Sequence, residues 1–434
     1  MASQHAWCLR KNGPLWFAKP GLSQKRNRPK HEWIRHLQPD FYAGQDDPFS
    51  DGSVQFHLTT GPFSTNCCFN FYFSLLRKDQ TLTGSFVILE RHCSTKEGCL
   101  MSWMNASSSE PIPLLWGDKR YHTWNHHLRN HFGHKVFKVP LDGGFTCPNR
   151  DGSVASGGCT FCSPRGSGDF AGDRRQDLVN QFNTVRDRMH QKWAKAKYIG
   201  YFQAFSNTYA PVEVLRPMYE AILEQPDVVG LSIATRPDCL PDDVVELLAE
   251  LNQRTYLWVE LGLQTMHDST SDLINRGHDY ACFLDGVAKL RRYGIRTCVH
   301  IIHGLPQESV EMMLETSQAC AAMDIQGIKI HSLHLLRKTP MMRQYKDGQL
   351  QLLDRDTYIR LVADTLEMLP PEMVIHRVTG DGPPDLLVGP MWSSKKWETL
   401  NGIDDELKRR NSWQGKKWSP RITSQLPQRS GVRL

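Results

Sequence analysis

Three cysteines on one glycine-rich stretch have the residue type and the spacing for metal chemistry. Cys147, Cys159 and Cys162 stand in LDGGFTCPNRDGSVASGGCTFC, with the spacing C-x11-C-x2-C. Electron-transfer iron–sulfur clusters usually have four cysteine ligands, and structural zinc usually has four Cys or His ligands. Three thiolates on one loop would therefore leave one iron of a [4Fe–4S] cluster without a protein ligand and open to a small molecule.

The surroundings of the three cysteines favour a cluster over zinc but leave both open. Glycine tolerates positive φ and has no side chain, so the backbone can wrap closely around a cluster at Gly143, Gly144, Gly152, Gly157 and Gly158. The alternative is a zinc ion whose fourth ligand is a histidine. The candidates for that ligand are close in sequence and comprise His122, His126, His127, His131 and His134.

The elements that must position these cysteines are short β-rich runs alternating with helical patterns between Trp116 and Leu369. The predicted strands are HKVFKVP, KYIGYFQAF, VVGLSIAT, TYLWVELGL, IRTCVHII and QGIKIHSL. Apolar residues at helical spacing lie between them, at Leu178, Phe182, Val185 and Met189 and again at Val244, Leu247, Leu248 and Leu251. This alternation predicts an α/β fold, a partial (β/α)6 TIM-like barrel, with its chemistry at the carboxyl ends of the strands.

Composition narrows the class of protein. The chain has 434 residues, of which 40% are hydrophobic and 23% charged, and this excludes collagen, coiled coil and wholesale disorder. No apolar run reaches the roughly 18 residues that a membrane-spanning helix needs. Twelve cysteines are too sparse for a disulfide scaffold, and no apolar signal-peptide core opens the chain. We therefore expect a cytoplasmic protein with no membrane partner.

Changes in composition and periodicity along the chain predict three regions. Residues 1–110 form an irregular N-terminal extension, either a transit segment, since the first 31 residues carry seven Lys/Arg and no acid, or an over-extended reading frame ahead of Met101 or Met104. Residues 111–370 form the core. Residues 371–434 form a small C-terminal extension, which is basic because ten Lys/Arg face four Asp/Glu from Lys395 onward.

The cysteine loop and several later motifs resemble the radical S-adenosylmethionine (SAM) superfamily. Within it they are similar to the YhcC/YtqA-like branch, which is related to the elongator catalytic core and to oxygen-independent coproporphyrinogen oxidase. The resemblance covers roughly residues 117–418. The motifs are GGFTCPNRDG, GGCTFC, YFQAFSNTYAP, ATRPDC, VELGLQT, INRGHDY, HGLPQE and HRVTGDGP. The long first cysteine gap departs from the commoner C-x3-C-x2-C and is the form that this branch uses.

The resemblance implies an enzyme with the partial barrel of the radical SAM type and two cofactors. Cys147, Cys159 and Cys162 would ligate three irons of a [4Fe–4S] cluster, and SAM would bind the fourth. A flavodoxin- or ferredoxin-type donor would reduce the cluster. SAM would then be cleaved to a 5′-deoxyadenosyl radical that abstracts hydrogen from the substrate.

Five further residues are candidates for binding SAM. Gln264 and Arg276 keep the spacing of a Gln and an Arg that contact SAM in the coproporphyrinogen relatives. Gln203 stands where many relatives have a Gly-Gly-Glu, Thr235 ends the third predicted strand, and Glu260 lies in the fourth. Three of them also have a structural interpretation: Gln264 as a helix cap, Arg276 as a surface ion pair and Glu260 as a satisfied strand-end carboxylate. His300 replaces the ribose-binding Asp of those relatives, so ribose binding stays open, and we assign no catalytic residue.

One pair of histidines and one His–Asp pair are expected near the substrate. His331 and His334 would point to opposite faces of a strand, so that one contacts substrate, and His376 and Asp381 would close over the barrel mouth.

Kinship with the elongator core implies tRNA as the substrate, in wobble-uridine modification. Basic residues of the tail, interleaved with tryptophans, would hold phosphates and stack bases. The alternatives are radical chemistry on a small metabolite and a non-catalytic zinc- or cluster-containing RNA-binding module.

Overall fold

The computed structural model describes residues 113–420 and the backbone of four strands nearer the N-terminus, and the chain divides into two units after residue 112. The four strands form an antiparallel sheet in the order of the sequence, and they are β1 (His5–Cys8), β2 (Val54–Thr59), β3 (Cys68–Arg77) and β4 (Gln80–Leu89). The expected transit segment and the alternative start at Met101 or Met104 lie outside the described residues.

The second unit is built on a sheet of seven parallel strands. They are β5 (Val136–Leu141), β6 (Lys197–Phe202), β7 (Val228–Thr235), β8 (Tyr256–Gln264), β9 (Arg296–His303), β10 (Gly327–Ser332) and β12 (Val374–Arg377). Their order across the sheet is β12-β10-β9-β8-β7-β6-β5. The six predicted strands are confirmed, and together they form the predicted partial barrel. The seventh strand, β12, was not predicted because its four residues are too few to show a period.

Helices connect these strands and cover the outside of the sheet. They are α1 (Trp124–Phe132), α2 (Leu178–His190), α3 (Val212–Leu223), α4 (Asp242–Arg254), α5 (Asp268–Leu273), α6 (Tyr280–Arg292), α7 (Val310–Ala321), α8 (Met341–Lys346), α9 (Arg355–Met368) and α10 (Lys396–Arg409). Both predicted apolar stripes face the core: the stripe of α4 is buried, and on α2 Phe182 is buried while Leu178, Val185 and Met189 are partly buried. A short antiparallel pair is formed by β11 (Leu335–Leu336) and β13 (Leu387–Gly389). No described helix is long and apolar enough to cross a bilayer.

Alternation along the strands gives the sheet two different faces. The outward face is apolar and packs under the helices, with Val259, Leu261 and Ile301 fully buried. At the amino-terminal ends of the strands the inward face is also apolar, where Trp258 and its neighbours pack against Leu128 of α1. The barrel is therefore filled at that end, and a cavity remains at the carboxyl ends of the strands.

Candidate active site

The three cysteines lie on the long connection between β5 and α2, at the carboxyl end of the barrel. Cys147, Cys159 and Cys162 all line one cavity of about 300 Å³, and all three are free thiols. The backbone turns tightly between the last two, since the N–H of Cys162 donates to the carbonyl oxygen of Cys159 at 3.0 Å. The structure thus brings the predicted ligand set together at the edge where the fold places its chemistry.

Two asparagines fasten this loop to the segment that follows α5. Asn149 Nδ2 donates to the carbonyl oxygen of Asn275 at 2.6 Å and lies 3.6 Å from the sulfur of Cys159. Asn275 Nδ2 in turn donates to the carbonyl oxygen of Gly158 at 2.8 Å. Gly157 and Gly158 have φ of 84° and 78°, which side chains rarely adopt, so the predicted need for glycine is met here. Sequence reasoning missed both asparagines.

Three free thiols at one cavity are the type of donor that an iron–sulfur cluster takes. Burial raises the pKa of the Cys159 thiol to about 12 and raises that of Cys162, so both stay protonated until a metal replaces the proton. The histidines that we considered as a fourth zinc ligand lie on or beside α1, which covers the opposite, amino-terminal end of the barrel: His131, for example, stacks 4.7 Å from Tyr256 at the start of β8. That zinc ligand set is therefore wrong.

Arg276 presents an unpaired donor at the same cavity. Its guanidinium is buried, and Nη1 donates to the carbonyl oxygens of Leu263 and, at 2.8 Å, Thr265. Nη2 is also buried and has no hydrogen-bond partner among the described residues. Burial lowers the pKa of Arg276 to about 10, which leaves it charged at neutral pH. A charged donor without a partner, at a cavity wall, fits a carboxylate ligand.

The other candidate SAM-binding residues line this cavity too, but they differ in how free their side chains are to bind a ligand. Gln264 ends β8 with φ of 62°, a strained conformation that is common at functional sites. Gln203 Nε2 already donates to the carbonyl oxygen of Ser167 at 2.8 Å. The hydroxyl of Thr208 donates to the carbonyl oxygen of Cys239 at 2.5 Å, so Thr235, 2.6 Å away, must donate to Thr208. Thr235 can therefore only accept a hydrogen bond from a ligand.

Glu260 lies inside the barrel, in the middle of β8, with both carboxylate oxygens engaged. Oε1 accepts from Ser232 Oγ at 2.6 Å and from Lys138, and Oε2 accepts from His300 Nε2 at 2.8 Å and from Lys329. Burial alone would raise the pKa of Glu260, but the two lysines hold it well below its usual value. This carboxylate is thus an anion held by the chain's own side chains.

A single polar layer surrounds Glu260, with one residue from each strand of the sheet. Sequence reasoning missed most of it, although each strand run contains one polar residue at an inward position among apolar neighbours. Lys329 Nζ also donates to the hydroxyl of Tyr201 at 3.0 Å, which extends the layer to β6. The members, from β5 to β12, are Lys138, Tyr201, Ser232, Glu260, His300, Lys329 and His376.

The structure corrects two predictions about histidines. Both His331 and His334 line the cavity, because β10 ends at Ser332 and the chain turns before His334. His376 does not close over the barrel mouth, since its ring packs 4.0 Å from Trp124 and 4.5 Å from Trp258, ring centre to ring centre, towards the amino-terminal end. Asp381, from the same motif, does line the cavity.

Comparison with known proteins agrees with this geometry. The family model described as the radical SAM superfamily matches residues 149–320, and the radical SAM C-terminal domain matches residues 325–409. The chain is 64% identical over 308 residues to protein YtqA of Bacillus subtilis, which covers 71% of this chain and 96% of that protein. The chain belongs to the radical SAM superfamily. It is accordingly a radical SAM enzyme.

Two further proteins are similar to a smaller part of the chain. The tRNA uridine(34) acetyltransferase of Dehalococcoides mccartyi is 29% identical over 162 residues, which is 36% of this chain and 34% of that protein. A solved structure of archaeal Elp3 from Methanocaldococcus infernus covers 64% of each chain, at 15% identity and a TM-score of 0.47.

In the part of the basic tail that the structure describes, up to residue 420, the lysines and arginines are engaged with neighbouring groups. Each of the seven lysines and arginines between Lys395 and Lys417 has a hydrogen-bond or ion-pair partner. Among its tryptophans, Trp392 donates from Nε1 to the carbonyl oxygen of Leu353 at 2.8 Å and packs inward, whereas Trp397 is 75% exposed. Several of these cations are nevertheless exposed, so the phosphate-binding surface stays a prediction, and Trp397 is the most exposed tryptophan of the described part of the tail.

Proposed function

We propose that this enzyme binds a [4Fe–4S] cluster and SAM and modifies a wobble uridine of tRNA. The observation that carries the cofactor assignment is the meeting of three free thiols and the unpartnered Arg276 Nη2 at one cavity. The tRNA assignment is supported by the partial similarity to a protein named as a tRNA uridine(34) acetyltransferase. When bound, the two cofactors supply a carbon-centred radical that removes a hydrogen atom from the substrate.

The chain's own residues would hold and shield these groups. Cys147, Cys159 and Cys162 provide the ligands, and Arg276 provides a charged donor for the SAM carboxylate. Gln264 would offer its amide to the amino or ribose groups, while Gln203 and Thr235 line the same wall. Glu260 takes no direct part in this proposal, because its oxygens are already engaged.

Reduction of the cluster needs one electron from outside the protein, so we propose a flavodoxin- or ferredoxin-type donor, in the cytoplasm. We also propose residues 111–370 as the catalytic core and residues 371–434 as a C-terminal extension.

The test of the cofactor assignment is anaerobic. The protein is reconstituted with iron and sulfide, reduced with dithionite and given SAM, and iron content and 5′-deoxyadenosine are quantified. Changing Cys147, Cys159 or Cys162 singly to alanine should abolish both signals, whereas Cys282→Ala, away from the cavity, should keep both. Full cleavage in any of the three single variants would refute the ligand assignment.

The substrate needs a separate test. The reconstituted enzyme is incubated with tRNA from cells that lack it, and the nucleosides are analysed by mass spectrometry. We expect one wobble nucleoside to change mass with SAM and reductant present. SAM cleavage without any change in tRNA would contradict the tRNA proposal and favour a small metabolite.

A further inference from the structure

The active-site cavity continues beyond the predicted SAM-binding residues, to the far edge of the sheet. The cysteine loop follows β5 at one edge, whereas β10 and β12 form the other edge. Four residues from this far edge line the cavity, and we call them the β10–β12 group: Lys329, His331, His334 and Arg377. None of them was assigned to cofactor binding above.

Positive charge exceeds negative charge around this part of the cavity. Glu260 is paired with both Lys138 and Lys329. Asp381 lies 2.7 Å from Lys396 Nζ and 3.7 Å from Arg377 Nη2. Four cations thus share two carboxylates, which gives these two clusters a net charge of +2.

The histidines in the group are neutral at physiological pH and do not add to this excess. Desolvation lowers the pKa of His334 to about 4 and places that of His331 well below its usual value. They remain hydrogen-bonding groups. His331 Nε2 is buried and has no partner among the described residues, so it is an unused polar atom at the cavity wall.

The tail motif holds these side chains in place. A Cβ added at Gly380 would lie 2.9 Å from His334 Cε1 and 3.6 Å from His331 Nδ1, so the backbone there packs directly on both rings. Arg377, one strand away, also acts electrostatically on Lys329, His331 and His334. The two histidine rings are therefore held in place by packing, which lowers the entropy cost of binding a ligand to them.

We propose that the β10–β12 group binds an oxyanion carried by the substrate, either a carboxylate or a phosphate. An anion here offsets the net positive charge of the two clusters, where four cations share two carboxylates. The planar guanidinium of Arg377 suits two oxygens of one group, and His331 Nε2 supplies a further polar contact. The oxyanion would anchor the substrate at the edge of the sheet opposite the cysteine loop, so that its reacting carbon lies between the two.

This inference rests on the proposed function only in treating the cavity as the substrate site. The binding of an anion by the group can be measured without the cluster and without turnover. The thermal unfolding midpoint of the full chain is recorded with inorganic phosphate, acetate or chloride at constant ionic strength. We expect phosphate or acetate to raise the midpoint of the wild-type protein by about 2 °C or more above chloride.

Variants locate the anion. Arg377→Gln should abolish the rise and Arg377→Lys should restore part of it, because lysine keeps the charge but not the fork of donors. Arg409→Gln, which removes an exposed cation of α10, should leave the rise intact. Arg276→Gln should also retain it, and loss in that variant but not in Arg377→Gln would place the anion at the SAM residues and overturn the proposal.

The outcomes also separate the sources of the anion. A response to acetate alone indicates a carboxylate on the substrate, and a response to phosphate alone indicates a nucleotide phosphate. No oxyanion response in the wild-type protein would overturn the proposal. Absence of 5′-deoxyadenosine in the separate cleavage assay would instead refute the proposed function, and the two failures are therefore distinguishable.

Discussion

Replacement of Lys329 by methionine tests the buried charge layer directly. The side chains of Lys329 and Glu260 are 9% and 0% exposed. The variant removes one of the two lysines, so that Oε2 of Glu260 keeps only His300. Breaking a buried ion pair on one side costs about 3–5 kcal/mol, because a charge is left uncompensated. Since Lys138 remains on Oε1, we expect a loss of about 3 kcal/mol in the free energy of unfolding.

The assay is urea unfolding of the wild-type protein, the single variants and the double variant Lys329→Met/Glu260→Gln. The matched control is Lys197→Met, whose partner Asp227 lies 2.7 Å away and whose side chain is 34% exposed. That pair should contribute less than about 1 kcal/mol. The double variant should lose about 2 kcal/mol less than the sum of the two single losses in the free energy of unfolding. The reason is that the carboxylate left unpaired by Lys329→Met is no longer charged in it.

His300 provides a second readout of the same change. The pKa of His300 is lowered to about 4, first by burial and then by the charge of Lys329, while Glu260 opposes both. Without Lys329 the pKa should rise, which NMR titration of the imidazole measures. The reasoning would be refuted if Lys329→Met cost no more than Lys197→Met, or if the two single losses added to within about 0.5 kcal/mol.

Three further predictions test other parts of the molecule. Gln264→Gly removes the strain of a φ of 62°, and should raise the free energy of unfolding by about 0.5 kcal/mol while weakening SAM binding in calorimetry. Burial lowers the pKa of His303 to about 3, so the folded state binds this proton less readily than the unfolded state does. The free energy of unfolding should therefore fall as the pH drops below 6.5. In urea unfolding, His303→Gln should make that fall less steep by about 1.4 kcal/mol per pH unit. Trp397→Ala should weaken tRNA binding in a filter assay without lowering the unfolding midpoint, whereas Trp392→Ala, on a packed side chain, should lower the midpoint.

The strands were predictable where a run was long enough to show its period. All six predicted runs became strands of the parallel sheet, and the two helical stripes became buried faces. β12 has only the four residues VIHR, and its place is set by pairing with β10, where Gly327 lies opposite Val374. That pairing joins residues far apart in the chain, so no local pattern indicates it.

The residues of the site also differ in whether the sequence alone could predict them. The cysteines were recognisable because their spacing is local, and Arg276 because its distance from Gln264 could be compared with relatives. The partners of Glu260 come from strands up to 122 positions away, as for Lys138. The stagger between neighbouring strands decides which of these polar residues lie at the same height in the barrel. That stagger depends on contacts between distant parts of the chain, so no local sequence pattern indicates it.

Lys329 links the stability of the barrel to the recognition of substrate. A buried ion pair is often no more stabilising than apolar residues of the same size, so the layer around Glu260 is not explained by stability alone. Lys329 belongs both to that layer and to the cavity wall, whereas Arg377 is 40% exposed and, among the residues that the structure describes, has Asp381 at 3.7 Å as its ion-pair partner. Loss of Lys329 should therefore reduce both stability and anion binding, and loss of Arg377 should reduce anion binding alone. This difference separates a layer that supports the fold from a wall that selects the substrate.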